Sequence, residues 1–305
     1  MAAKEFSIIP RRWRGVRNSE AELLLEPDEW ADSRNFDSRY GWSSPGSTLL
    51  QTVTPGALSV IGLSHFFDKD GLLKRVMITS NGSIYLDGVL VTQQVFSTTA
   101  IGITNINGEI PVMAAGAARI FIARGTLQSV IHRDPVDSVW KELLLAPKAR
   151  TLTLDPAGPR LFVSPDSTGQ PDTWAWSAAG DFTKWTVADG GGEEPIGEDR
   201  QKIIAIRANL ENNLAIYKAN RIYIRDGSDP KTWRLINTSN EIGAISPSII
   251  NIGKGQGFIH ESGFFLLNAV GAVAFPPLTE RVQETWEFML KNFGDYLRFA
   301  HSAYN

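Results

Sequence analysis

One phrase is written three times along this chain, and its recurrence limits the folds open to it. The copies are Ile131-His-Arg-Asp-Pro-Val-Asp-Ser-Val-Trp140, Trp176-Ser-Ala-Ala-Gly-Asp-Phe-Thr-Lys-Trp185 and Ile224-Arg-Asp-Gly-Ser-Asp-Pro-Lys-Thr-Trp233. Each begins on a large apolar residue, crosses a turn rich in Asp, Gly, Ser or Pro, and reaches a Trp nine positions later. The closing residues Trp140, Trp185 and Trp233 are 45 and 48 positions apart. Each phrase follows a strand-like run: Arg119-Ile-Phe-Ile-Ala, Arg160-Leu-Phe-Val-Ser and Leu214-Ala-Ile-Tyr-Lys. Short apolar runs bounded by turn residues read as strands buried on one or both faces. Asp-Gly, Asp-Pro and Gly-Asp pairs suit tight reversals, and a Trp ring is large enough to wedge between neighbouring units. Such a unit cannot bury its own apolar faces, so units must stack. A period in the forties with several strands per unit predicts an all-β fold, a β-propeller.

The strand-opening residues Val76, Ile120, Leu161, Leu214 and Phe258 recur at spacings of 44, 41, 53 and 44. The longest interval holds Asp189-Gly-Gly-Gly-Glu-Glu194, read as a flexible acidic loop. Asn81-Gly82 fits a type I′ hairpin turn, Asp87-Gly88 the next reversal, and Ser262-Gly263 the tip of a last hairpin. Five blade cores follow. A sixth is expected to be shared between residues 58–67 and the run Tyr296-Leu-Arg-Phe-Ala, which would remove the sheet edges. The expected architecture is therefore a propeller of five to six four-stranded blades over residues 57–305, preceded by an N-terminal arm, residues 1–56, able to supply a ring-closing strand. In that arm, Arg11, Arg12, Arg14 and Arg17 surround Trp13, a cluster suited to phosphate or to a solvated turn. Pro27-Asp-Glu-Trp-Ala-Asp fits a short helix. A longer helix is predicted over 279–293, with Thr279 as N-cap and Gly294 as its stop. Trp286, Met289 and Leu290 share its apolar face, either on this chain's own blades or on a neighbour.

Composition narrows the role. A net charge of −3 gives no general attraction for nucleic acid or acidic membranes. The absence of Cys removes disulfides and thiolate metal sites and fits synthesis in a reducing cytoplasm. No apolar run is long enough to span a bilayer, and the opening residues lack a signal peptide's apolar stretch.

Several short motifs together resemble the propeller proteins of tailed-bacteriophage virions, the tail nozzle, head-closure and neck family. They are Trp13-Arg-Gly-Val-Arg-Asn-Ser, Asp32-Ser-Arg-Asn35 and Ser44-Pro-Gly46 near the start, and Gly180-Asp-Phe-Thr-Lys-Trp185 in the middle. Asn213-Leu-Ala-Ile-Tyr-Lys-Ala-Asn-Arg-Ile-Tyr-Ile, Ile242-Gly-Ala-Ile-Ser-Pro-Ser-Ile and Gly257-Phe-Ile-His-Glu-Ser-Gly-Phe-Phe follow. The resemblance implies a structural virion component, made in the host cytoplasm, whose partners are further copies of itself in a ring of six-fold or related symmetry and neighbouring virion proteins. Packaged DNA would pass close by without specific binding. The candidate interface residues are Arg11, Arg12, Trp13, Arg14, Arg17, Trp286, Met289 and Leu290, joined by the loops at 189–194 and 226–230.

Motifs for chemistry are sparse. The histidines, His65, His132, His260 and His301, lack metal-ligand spacing. There is no nucleophile elbow or phosphate loop, and Gly190-Gly-Gly192 lies between acidic residues that would repel phosphate. The phrase at 177–185 resembles an Asp-box turn, with Ala179 where the Asp belongs. No cofactor, metal, small-molecule substrate or enzymatic activity is expected. The competing reading is a carbohydrate-active propeller, a glycosidase or glycan-binding module. It requires aromatic rings and two converging carboxylates among the 33 acidic residues.

Overall fold

Five antiparallel sheets follow one another along the chain, each built from consecutive strands, and together they form a β-propeller. In this computed structural model the described residues are 15–16, 29–30, 60–92, 111–155, 158–165, 170–208, 213–227, 229–252, 254–268, 271–280 and 283–297. Two short strands, β1 (Gly15–Val16) and β2 (Glu29–Trp30), pair in parallel. Glu29 and Trp30 are thus strand residues, not the first turn of a helix. The cluster Arg11, Arg12, Trp13, Arg14 and Arg17 lies outside the described residues.

Blade 1 comprises β3 (Val60–Phe67), β4 (Leu73–Thr79), β5 (Ile84–Leu86) and β6 (Val89–Leu90). Blade 2 comprises β7 (Val112–Gly116), β8 (Arg119–Ala123), β9 (Ile131–Arg133) and β10 (Trp140–Glu142). Blade 3 comprises β11 (Thr151–Asp155), β12 (Arg160–Ser164), β13 (Thr173–Trp176) and β14 (Gly192–Pro195). Blade 4 comprises β15 (Ile203–Ala208), β16 (Leu214–Lys218), β17 (Ile222–Asp226) and β18 (Arg234–Ser239). Blade 5 has β19 (Ile250–Ile252), β20 (Gly255–His260) and β21 (Gly263–Leu267), with a single bridge from Leu267 to Val273 where a fourth strand would lie. The strand-like runs preceding the three phrases are β8, β12 and β16, the second strand of blades 2, 3 and 4.

Among the described residues the core forms four layers, one between each pair of successive blades. Phe66, Val76, Ile78 and Ile84 of blade 1 meet Ile120, Ile122, Ile131 and Trp140 of blade 2. Phe121 and Ala123 turn the other way and meet Leu161, Val163 and Trp185 of blade 3. Phe162 and Trp174 meet Leu214, Ile216 and Tyr223 of blade 4. Ala215, Tyr217 and Ile224 meet Phe258, Phe265 and Leu267 of blade 5. Alternate residues of one strand point to opposite faces. The central residues of β8, β12 and β16 are apolar because both faces of these strands are covered, the condition that elsewhere gives parallel sheets their unbroken apolar runs.

Trp140, Trp185 and Trp233 occupy equivalent places. Each lies between the third and fourth strands of its blade or opens the fourth, and each packs toward the preceding blade. Trp185 donates its indole N–H to Phe182 O at 2.9 Å. Trp233 is half-buried against Trp174 and Trp176, at ring separations of 5.3 and 4.7 Å.

Four local expectations are corrected. Residues 60–67 are the first strand of blade 1, not half of a sixth blade, and Tyr296 and Leu297 end a helix, with 298–300 outside the described residues. That helix, α1, spans Gln283–Leu297, not 279–293. Thr279 is not its cap but accepts the Phe264 N–H at 3.2 Å, and Gly294 lies inside it. The stretch at 189–194 is no free loop: Val187–Asp189 is one 3-10 turn and Gly192–Pro195 is β14. A Cβ on Gly192 would sit 2.6 Å from the Trp176 ring, and one on Gly191 2.7 Å from the Trp185 backbone. These glycines serve close approach to the Trp pair. Finally, Asn81 does not form a type I′ turn, since only Gly82 has positive φ. The Asn81 carboxamide instead accepts from Thr79 Oγ1 at 2.7 Å and from Ser83 N–H at 3.1 Å.

Type I′ geometry falls elsewhere, at Asp87-Gly88 (φ 49 and 83) and at Ala117-Ala118 (φ 51 and 57) in the β7–β8 hairpin. A left-handed conformation costs a non-Gly residue about 1–2 kcal/mol. Replacing Ala117 and Ala118 with Asn-Gly should therefore raise stability by about 1 kcal/mol or more, readable as a higher urea midpoint at unchanged slope.

Candidate functional site

The alternation of strand directions sends the loops to two ends. The three Trp phrases, linking third to fourth strands, share one end with the first-to-second turns. The second-to-third turns and the blade-to-blade connections share the other. The Gly180 N–H bond to Pro159 O at 2.7 Å and the Leu143 N–H bond to Val130 O at 2.9 Å each join two loops of one end.

The second end carries exposed leucines and an acidic cleft. Leu127, Leu144 and Leu145 lie there on blade 2, 62%, 69% and 70% exposed. On blade 3 the same end holds an acidic cleft of about 550 Å³, with Asp172, Glu193, Glu194, Glu198, Arg200 and Gln170 in its wall. It forms where β13 and β14 finish side by side, in register Thr173 to Pro195 and Trp174 to Glu194. Glu194 is anchored by the Trp174 indole N–H at 3.1 Å. Asp172 is buried, while Glu193, Glu198 and Arg200 are exposed. Four carboxylates beside a single guanidinium make the cleft attractive to cationic groups. Among the described residues no group of His, Asp and Glu is disposed to hold a metal ion.

The strand leaving the cleft is held by a buried cation. Lys218, fully buried at the end of β16, bonds Ile196 O and reaches Asp199 Oδ1 at 2.5 Å. Arg221 lies 3.3 Å from the other Asp199 oxygen. Burial pushes the Asp199 carboxyl upward, but the hydrogen bonds from Lys218 and the Gln201 N–H, with the charges of Lys218 and Arg221, outweigh it and hold the group below the usual range.

A second buried pair crosses between blades. Arg225 on β17 donates to Asp155 on β11 at 2.7 Å, with both side chains at 2% exposure or less. Its guanidinium also lies over the Phe162 and Trp233 rings, at 5.2 and 5.4 Å. Polar bonds continue along the inner strands. Ile206 and Ala208 donate their N–H groups to Thr151 and Thr153 hydroxyls at 3.3 and 3.1 Å. Gln256 of blade 5 donates to Ala208 O at 2.8 Å and accepts from the Tyr217 hydroxyl at 2.8 Å. These charged and polar residues were not singled out from the sequence. The one signal was a Lys and an Arg ending the otherwise apolar strands Leu-Ala-Ile-Tyr-Lys and Ile-Tyr-Ile-Arg.

Among the described residues His132 is the most perturbed histidine. It is buried on β9 with its ring 5.8 Å from Phe121, and Arg119 Nη1 stands 3.4 Å from its Nδ1. Burial, then the Arg119 charge, lower its pKa to about 4. It is a neutral packing group.

Of the helix residues, Trp286 is buried and donates its indole N–H to Glu261 O at 3.0 Å, so α1 packs on blade 5 of its own chain. Leu290 is half-buried; Met289 and the neighbouring Phe288 are 38% and 61% exposed. The loop at 226–230 lies at the Trp end, away from the cleft.

No protein-family model matches this chain, and no curated protein matches it. Several solved structures are similar. Virginiamycin B lyase from Staphylococcus aureus has a TM-score of 0.47 at 12% identity, covering 78% of this chain and 73% of that one. A streptogramin B lyase has a TM-score of 0.48 at 11% identity, with 74% of each chain covered. YCF48 bound to a D1 peptide has a TM-score of 0.40 at 10% identity, covering 71% and 66%. None of these three is described as a virion protein.

Two outcomes test this electrostatic reading. Arg225→Met should cost about 3–5 kcal/mol by stranding the Asp155 charge, and adding Asp155→Leu should restore much of it; chemical denaturation of the single and double variants reads both. For His132 the folded pKa is depressed below the unfolded value of 6.5. Its contribution is therefore complete above pH 6.5 and is lost as pH falls toward 4, by about 3 kcal/mol in all. A His132→Phe variant should show a correspondingly shallower loss of stability between pH 6.5 and 4.

Proposed function

We propose that this chain is a structural component of a phage virion, a propeller subunit that joins copies of itself into a ring at the neck or tail and works by shape. The observation that carries this reading is the end surface that holds both exposed Leu127, Leu144 and Leu145 on blade 2 and an acidic cleft on blade 3. Apolar side chains rimmed by charge characterise contact surfaces. A heterologous contact of this kind, repeated by rotation, closes a ring.

The placing of the charged groups supports the same reading. The ion pairs Arg225–Asp155 and Lys218–Asp199 bind the blades and the strand connections, which suits a body that must transmit force without changing form. The exposed Phe288 and Met289 of α1 offer a second contact surface at blade 5. A net charge of −3 suits a subunit past which DNA slides. A sugar-processing propeller would set aromatic rings beside its carboxylates, and none of the residues lining the acidic cleft is aromatic.

The protein should be recovered from purified phage particles as a stoichiometric component, and its gene should lie among portal, capsid and tail genes. Failure to find it in particles ends the proposal. The contact itself is tested with Leu144→Glu plus Leu145→Glu. Both residues are exposed, so the isolated chain should unfold within about 0.5 kcal/mol of wild type, while its incorporation into particles should fail.

A further inference from the structure

One buried carboxylate of the acidic cleft has no donor of its own. Asp172 is 6% exposed, and that remaining exposure opens on the cleft whose wall it forms. Among the described residues none donates a hydrogen bond to its side chain and no cation pairs with it. Its main chain is nevertheless fixed. Asp172 O accepts from the Ile196 N–H at 2.8 Å, and the preceding Pro171 O accepts from the Ile203 N–H at 3.1 Å. The side chain is thus held at the cleft by bonds other than its own. The carboxylates of Asp155 and Asp199, by contrast, meet Arg225 and Lys218. A buried charge without donors is costly, and a folded protein that keeps one points to a group that supplies them.

The rest of the wall narrows the class of that group. Asp172, Glu193, Glu194 and Glu198 face Arg200 alone, which is exposed and forms no ion pair with a described residue. The occupant is therefore cationic. Among the described residues the carboxylates are not disposed to hold a bare metal ion. A quaternary ammonium has no N–H to offer Asp172 and is recognised by aromatic rings, of which this wall has none. A planar guanidinium can meet both oxygens of one carboxylate with parallel N–H donors, and it sheds water more readily than an ammonium. The volume of about 550 Å³ and the exposed acids Glu193 and Glu198 leave room for a second charge beside the first.

We infer that this cleft is a docking site for the arginine side chains of a partner polypeptide. One guanidinium sits on Asp172, and the charge of a second arginine is met at the rim by Glu193 and Glu198. The assignment does not rest on the virion role, since a chain found in no particle would still bind an arginine peptide.

The test titrates the full-length protein with a labelled peptide carrying two arginines separated by glycine. The same peptide is made with citrulline, lysine or trimethyl-lysine in their place, and agmatine is added as a free guanidinium. The arginine peptide should saturate one site per chain, with the lysine peptide weaker. The citrulline and trimethyl-lysine peptides and agmatine should each bind about tenfold or more weakly. Asp172→Asn should weaken the arginine peptide by about tenfold or more and leave the trimethyl-lysine peptide nearly unchanged. Arg200→Gln should tighten the arginine peptide. The urea midpoint of Asp172→Asn should be no lower than wild type, because no bond within the chain is lost. No saturation by about 1 mM overturns the inference. So does trimethyl-lysine or lysine binding as tightly as arginine, which reduces the cleft to general attraction. Agmatine binding as tightly as the peptide overturns the polypeptide partner, and a lowered midpoint for Asp172→Asn makes that carboxylate a structural group. The peptide comparison on the wild-type chain decides without any variant.

Discussion

Each blade of this propeller is a sheet with two faces to cover, and a single sheet can cover neither. Stability therefore resides between blades, where side chains at odd and even positions of one strand serve different interfaces. In β12, Leu161 and Val163 face blade 2 while Phe162 faces blade 4. In β16, Leu214 and Ile216 face blade 3 while Ala215 and Tyr217 face blade 5. Full burial of one such side chain contributes about 1.5–3 kcal/mol. Shifting one strand by a single residue would exchange the two sets and mismatch both layers. The three Trp phrases enforce the spacing by setting a large ring in each of three successive layers.

Polar groups inside this arrangement are placed where the sheet hydrogen bonds run out. Inner strands of adjacent blades do not form a ladder with each other, so Thr151 and Thr153 offer hydroxyls to the neighbouring N–H groups. Arg225 and Asp155 go further, setting full charges between two aromatic-rich layers. A buried pair of this kind adds little net stability compared with well-packed apolar residues, yet breaking it is costly. It fixes how blade 4 sits on blade 3. The neutral state of His132 follows from the same shortage of water. Its ring is stacked near Phe121 and faces Arg119, and a proton there would be both desolvated and repelled.

The surface divides by end. At the Trp end the turn at 181–185 is internally hydrogen-bonded, Asp181 accepting from the Thr183 N–H and hydroxyl at 3.0 and 2.6 Å. The opposite end carries the exposed leucines of blade 2 and the carboxylates of blade 3. In the ring proposed above, such an asymmetry would let each subunit meet its neighbours in one orientation.

The repeat, the strands and the equivalence of the three Trp residues were legible because each depends on local order: apolar runs, turn residues and a common spacing. The runs at 119–123, 160–164 and 214–218 coincide with β8, β12 and β16 because the central positions of strands covered on both faces are apolar on either side. The turn type at Asn81 and the limits of α1 were not legible. Side-chain bonds from Thr79 and Ser83 decided the first, and the docking of Trp286 on blade 5 fixed where the helix packs. The acidic cleft was invisible for a related reason: Asp172 and Glu198 are 26 positions apart, and only the finishing of β13 beside β14 brings them to one rim. Sequence alone thus determined that this chain makes stacked units of one kind, since periodicity and burial are properties of each segment. Which charges meet and which side chains gather at each end were decided by the tertiary structure, because these depend on distances between segments that the chain order does not contain.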